Sequence, residues 1–281
     1  MTKISIMQGR LLPPFEGRFQ AYPAKEWEEE FYAAADLGLY SIEWIYEKPY
    51  EGENALSCQS GIEHLKKVMA ETGVGVRSIC ADYYMSEHLI KEGKPVSENW
   101  DHLEWLCAQG KMLGGIEYII LPFVDSSSLK TEEDQSALAI ALKEFLSSHR
   151  NAGIELHLET DLEPHNFAMI FHKVDHPLLK LNYDIGNSAS LGYDPDEEFG
   201  VLGSYLGSVH VKDRVFQGKT VPLGSGNADF PKCFKWFEAL NFNGWYVLQA
   251  ARGPVGDEKV TTENHINFVK NYLKTYGSRA S

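Results

Sequence analysis

Four residues of the 281-residue chain are of the right types, at corresponding positions, to hold a divalent metal ion: Glu159, Asp184, His210 and Gln249. Each closes a short run of the kind that forms a strand, namely Leu156-His-Leu-Glu159, Leu181-Asn-Tyr-Asp184, Ser208-Val-His210 and Val247-Leu-Gln249. Two carboxylates, an imidazole and an amide oxygen converging on one point suit Mn, Co, Mg or Zn, which accept mixed oxygen and nitrogen donors. Such an ion polarises a substrate carbonyl and the hydroxyl beside it. A single acid at a strand end often does no more than cap the next helix or pair with Lys or Arg. Four on consecutive strands form a pattern that capping alone does not explain.

Positioning these residues requires the strands to converge. Short β-branched or aromatic runs alternate with longer amphipathic stretches along the whole chain, the pattern of repeated strand–helix units around a parallel sheet. The expected strands are 4–8, 41–45, 75–80, 118–121, 154–159, 179–184, 208–211 and 245–249. A 3.6-residue apolar period predicts helices over 24–37, 59–72, 99–113, 132–151, 163–173, 196–206, 230–240 and 262–276. Gly38, Gly73, Gly114 and Gly153 stand where helices would end before strands. Eight such units without a linker or a change of composition argue for one closed (β/α)8 barrel over residues 1–281, larger than a usual open sheet. In that fold the chemistry sits at the C-terminal ends of the strands, where the four residues lie.

Composition narrows the function. Hydrophobic residues at 43% and charged residues at 23% are ordinary for a globular protein and exclude wholesale disorder. A formal charge of −14 with no run of Lys and Arg disfavours nucleic acid and anionic membranes as partners. Apolar stretches such as Glu117–Val124 are far shorter than the ~20 residues needed to span a bilayer. The opening Met1–Gln8 lacks the apolar core and cleavage site of a signal peptide and reads as a first strand, so the expected compartment is the cytoplasm. Cys58, Cys80, Cys107 and Cys233 contain no C-x-x-C pair and read as reduced, mostly buried thiols.

Glu159, then Tyr183-Asp-Ile-Gly-Asn187, Val209-His-Val-Lys-Asp213, and Val221-Pro-Leu-Gly-Ser-Gly226 with Asp229-Phe230, occur in an order that resembles the sugar phosphate isomerase/epimerase group of the xylose-isomerase-like TIM-barrel superfamily. Ile6-Met-Gln-Gly-Arg-Leu11 and Ile42-Glu-Trp-Ile45 resemble the group too, so the likeness covers essentially the whole chain. Pentulose-phosphate and ketohexose 3-epimerases share the pattern most fully. The resemblance implies a divalent ion, with Mn or Zn favoured, held by Glu159, Asp184, His210 and the residue at 249. It also implies a small carbohydrate substrate, a metal-stabilised ene-diolate with Glu159 as base, and the homo-oligomers common in the group.

In the epimerases the fourth ligand is a second glutamate that also works as an acid/base. Gln249 coordinates through oxygen but accepts no proton at neutral pH, so a two-base epimerisation lacks one base. Glu43 at the end of the second strand is the leading substitute, with Asp82, Lys212 and Asp213 as further candidates; Glu43 has the alternative of binding a sugar hydroxyl, and the aspartates of capping loops. Arg10, Arg214 and Arg252 follow strands one, seven and eight and are candidates, with Lys212 and Asp213, for binding a substrate carboxylate, phosphate or hydroxyl. His157 shares a strand face with Glu159 and reads as a hydrogen-bonded core histidine below the ion, while Trp44 beside Glu43 is a candidate for a pocket wall. Two other readings stay open: a lyase resembling inosose dehydratases, which needs only one base, and a catalytically idle sugar-binding barrel.

Overall fold

Eight short apolar runs pair side by side until the last meets the first. In the computed structural model, which describes residues 3–276, they are β1 (Ile4–Met7), β2 (Ser41–Ile45), β3 (Gly75–Cys80), β4 (Tyr118–Phe123), β5 (Glu155–Thr160), β6 (Leu179–Asp184), β7 (Leu206–Val211) and β8 (Trp245–Leu248). Met1, Thr2 and the polar tail Gly277–Ser281 lie outside the described residues. All neighbours are parallel, and β8 closes on β1 with Ile4 opposite Tyr246 and Ile6 opposite Leu248. Strands buried on both faces can be apolar throughout, as is β4, Tyr-Ile-Ile-Leu-Pro-Phe. The expected single (β/α)8 barrel is the observed fold.

Helices cover the outside: α1 (Trp27–Asp36), α2 (Gln59–Thr72), α3 (Ser97–Leu113), α4 (Glu132–Ser147), α5 (Pro164–Val174), α6 (Ile185–Leu191), α7 (Pro195–Leu202), α8 (Phe230–Ala239) and α9 (Glu258–Tyr276). In α5, Glu163 accepts the backbone N–H of Asn166, Pro164 starts the first turn, and Phe167, Ile170, Phe171 and Val174 form one buried stripe. Burying each such side chain contributes about 1.5–3 kcal/mol, which outweighs helix propensity as the reason this segment is helical here. The helix predicted over 132–151 ends at Ser147 because the Ser148 hydroxyl bonds back to the carbonyls of Glu144 and Phe145, and His149 turns left-handed at φ 58°.

Trp44 is completely buried between barrel and helices, against Tyr22, Trp27 and Phe31, with its indole N–H on Asn54 Oδ1. It packs the core and lines no sugar pocket. His157 is likewise buried, between Ser208 Oγ at 2.7 Å and Glu155 Oε2 at 3.0 Å and stacked on Tyr118, the core histidine expected. Three features carry no apolar period and are seen only in the structure: α6, and the small hairpins Ile90–Lys91 with Lys94–Pro95 and Asp213–Arg214 with Thr220–Val221. No helix of the described residues is long and apolar enough to cross a membrane.

Candidate metal and active site

Side chains on a strand alternate between faces, so His157 and Glu159 on β5, Asn182 and Asp184 on β6, and Ser208 and His210 on β7 all point into the barrel. Pairing puts Asp184 directly opposite His210 and Asn182 opposite Ser208. At the C-terminal end, Glu159, Asp184 and His210 each offer one ligand atom within 4.8 Å of the others, and all three are buried. His210 Nδ1 lies 3.2 Å from Glu159 Oε2 and 3.9 Å from Asp184 Oδ2. Two carboxylates and an imidazole nitrogen this close are a donor set that fits a divalent ion.

The partners of these groups support that fit. Glu43 is completely buried on β2; it accepts a hydrogen bond from Ser78 Oγ at 2.7 Å and lies 2.7 Å from His210 Nε2. A carboxylate on the far nitrogen is the usual support of a metal-ligating histidine, and it leaves Nδ1, beside Glu159 and Asp184, as the nitrogen that would take an ion. Burial opposes the charged imidazole, but the Glu43 and Glu159 carboxylates outweigh it and raise its pKa to about 10, so a metal taken up at Nδ1 would have to displace a proton from the ring. Glu43 does not line the cavity where substrate would sit, which departs from the expectation that it stands there as an acid/base. A shift in pairing with β3 between Ile42 and Glu43 marks the place where the strand is irregular.

Both oxygens of Glu159 are oriented by amides, Oε2 by Asn182 Nδ2 at 2.8 Å and Oε1 by Asn187 Nδ2 at 2.7 Å. Asp184 is divided: Oδ1 caps α6 by accepting the Asn187 N–H, and Oδ2 takes Lys212 Nζ at 3.1 Å. Capping and the contact with Lys212 thus use different oxygens of one carboxylate. Gly186 makes this possible, because a Cβ there would lie 2.7 Å from Lys212 Cγ. Lys212 Nζ also reaches Gln249 Oε1 at 3.1 Å, so the Asp184 and Gln249 oxygens already converge on one cationic nitrogen.

A cavity of about 510 Å³ opens over these groups, lined by Glu159, Gln249, Lys212 and Arg214 together with Asp82, Asn187, Gln20, Phe19 and Lys219. The remaining candidates lie elsewhere. Asp213 is completely buried and its carboxylate accepts the N–H groups of Gly224, Gly226 and Ala228, so it fastens the loop after β7. Arg252 donates to the carbonyls of Gly9, Leu12 and Phe19, and Arg10 to Phe19 O and Gln20 Oε1. Neither arginine lines the cavity; together they hold the loop between β1 and α1 against the barrel mouth. Asn182, Asn187 and Gln20 were not among the candidates. The two-residue spacing of Asn182 from Asp184 could have indicated it, whereas Gln20 lies in a loop without a pattern.

Fold and site together define a (β/α)8 barrel with a candidate divalent-ion centre at its C-terminal mouth. The chain belongs to the xylose isomerase-like TIM barrel family, whose model matches residues 31–272. It is 28% identical over 242 residues, 82% of this chain and 84% of the relative, to the L-ribulose-5-phosphate 3-epimerase UlaE of Shigella flexneri. Among solved structures, an L-ribulose 3-epimerase superposes with a TM-score of 0.74 at 19% identity, covering 98% of this chain and 96% of the other. A D-allulose 3-epimerase from Methylomonas sp. in complex with D-allulose superposes with a TM-score of 0.71 at 15% identity, covering 96% and 97%. These relatives are epimerases, of the isomerase class of enzymes.

Proposed function

We propose that the protein is a divalent-metal-dependent epimerase or isomerase acting on a ketose or ketose phosphate. The observation that carries this reading is the cluster of Glu159, Asp184 and His210 at the barrel mouth, with Glu159 oriented by two amides and exposed to the cavity. A divalent ion held there by these three residues and Gln249 supplies Lewis-acid polarisation of a substrate carbonyl. Glu159 removes the proton from the carbon beside that carbonyl, and Asn182 and Asn187 keep its carboxylate aimed during the transfer. The C–H electron pair moves into the C–C bond and leaves an ene-diolate. Lys212, Arg214 and Lys219 make one wall cationic in an otherwise acidic protein, which favours oxygen-rich or phosphorylated substrates such as those named for the relatives.

The Gln at 249 favours one second reading, a dehydratase-like lyase, because loss of a β-hydroxyl from the same intermediate needs a single base. The test is elemental mass spectrometry of the purified protein and of Asp184→Ala and His210→Ala, followed by incubation with L-ribulose 5-phosphate, L-ribulose and D-allulose in D2O. Expected are near-stoichiometric metal in the wild type, its loss in both variants, and one deuterium entering the carbon beside the carbonyl. A growing enone absorbance in place of an epimer would select the lyase. No metal retained after incubation with Mn, Zn or Co, and no deuterium uptake, would overturn the reading and leave a sugar-binding barrel.

A further inference from the structure

The fourth carboxylate of the epimerase pattern is absent at 249, and the side chains around Gln249 lead to another one. Lys212 Nζ donates to Gln249 Oε1, Gln249 Nε2 donates to Gln20 Oε1 at 3.0 Å, and Gln20 Nε2 donates to Asp82 Oδ2 at 2.8 Å. The direction of this chain is fixed from both sides. Lysine and arginine have no acceptor, so Lys212 sets the Gln249 amide, and Arg10 Nη2 at 3.3 Å from Gln20 Oε1 sets the Gln20 amide the same way. Every donor therefore points toward Asp82. Its second oxygen is met by the Cys80 thiol at 3.2 Å. Asp82 lines the same cavity as Glu159, and β3, which leads into it, is separated from β5 by β4. Glu43 is sealed beneath His210; the carboxylates that line the cavity are Asp82, Asp125 and Glu159, and the hydrogen-bond chain from Gln249 ends on Asp82.

We infer that Asp82 is the second acid/base of the reaction, taking the place that Gln249 cannot fill. The inference rests on the preceding reading that Glu159 breaks a C–H bond beside a carbonyl. Glu159 accepts that proton; the electron pair becomes the C–C double bond of the ene-diolate. Asp82 in its acid form then gives its proton to the opposite face of the same carbon, the carbonyl re-forms, and Asp82 is left as carboxylate. Exchange with water returns both groups to their starting states, and the reverse reaction exchanges their roles. Burial raises the Asp82 carboxyl to about 6, against the opposing bonds from Gln20 and Cys80, which keeps both of its protonation states accessible near neutral pH.

A two-base mechanism makes an asymmetric prediction. In D2O, Asp82→Asn should still wash deuterium into the one epimer whose C–H faces Glu159, while epimerisation falls on the order of 100-fold or more. Glu159→Gln should lose that wash-in. Asp82→Ala should regain epimerisation when formate is added, which a structural role would not allow, and this rescue decides the matter if the Asn variant is poorly folded by circular dichroism. Epimerisation by Asp82→Asn within about threefold of wild type, or loss of wash-in and epimerisation together in a folded, metal-loaded variant without formate rescue, would overturn the role of Asp82. Absence of deuterium uptake by the wild type is a different failure: it removes the epimerase reading, and the Asp82 role with it.

Discussion

A carboxylate in the mouth of a barrel can cap a helix, support a histidine or open onto the cavity, and this site contains all three. Asp184 caps α6 through Oδ1 while Oδ2 faces Lys212 Nζ and His210; Glu43 supports His210; Glu159 opens onto the cavity. Residue type and strand-end position identified the set but could not distribute the roles, because depth in the barrel depends on strand pairing across the ring. Glu43 illustrates this: from sequence it reads as closing β2 as Glu159 closes β5, yet it stands in the middle of its strand and is sealed under the imidazole. Glu43→Gln is therefore expected to weaken metal retention about 10–100-fold by depriving His210 of its charged partner. A chelator titration with elemental analysis reads this directly. An unchanged half-stripping concentration would mean that Glu43 does not tune the ligand.

At the scale of elements, the eight strands and the helices flanking them were legible because apolar periods of two and 3.6 depend only on local sequence. The loop between β1 and α1, which carries Gln20 and Phe19 to the cavity, was not, since its course is set by Arg10 within it and by Arg252, which follows β8 at the far end of the sequence. The loop after β7 is held in a similar way. Asp213 gives one oxygen to Gly224 and Gly226 N–H at 2.9 and 2.8 Å and the other to Ala228 N–H at 3.1 Å. Gly226 must lack a side chain, since a Cβ would fall 2.2 Å from Asp213 Oδ1. Read from sequence as a substrate contact, Asp213 is a loop clamp. Asp213→Asn sets an NH2 group against backbone donors and is expected to cost about 2–3 kcal/mol, measured as a lower urea midpoint. A midpoint equal to that of wild type would show the loop to be held by other contacts.

For the molecule as a whole, burial of acids links stability to pH in a protein that already carries a formal charge of −14. Glu198 on α7 is buried, accepts Tyr183 Oη at 2.7 Å and also meets the Ser188 hydroxyl. Burial raises its pKa to about 7 despite these bonds, and Glu30 on α1, which accepts the Leu11 N–H at 3.2 Å, is raised to about 7 for the same reason. In the unfolded chain these carboxyls release their protons near 4.3. Between that pH and 7 the folded state binds more protons than the unfolded state, so each group makes stability fall as pH rises through this window and adds nothing to the slope above it. Glutamine at 198 carries no titratable proton and keeps an oxygen for Tyr183 and Ser188. Glu198→Gln is thus expected to flatten the decline in unfolding free energy between pH 5 and 8, and by pH 8 to be more stable than wild type by about 1–3 kcal/mol. Urea unfolding at pH 5, 6, 7 and 8 measures both curves; a difference between variant and wild type that stays constant across this range would mean that Glu198 titrates in the fold as it does in the open chain.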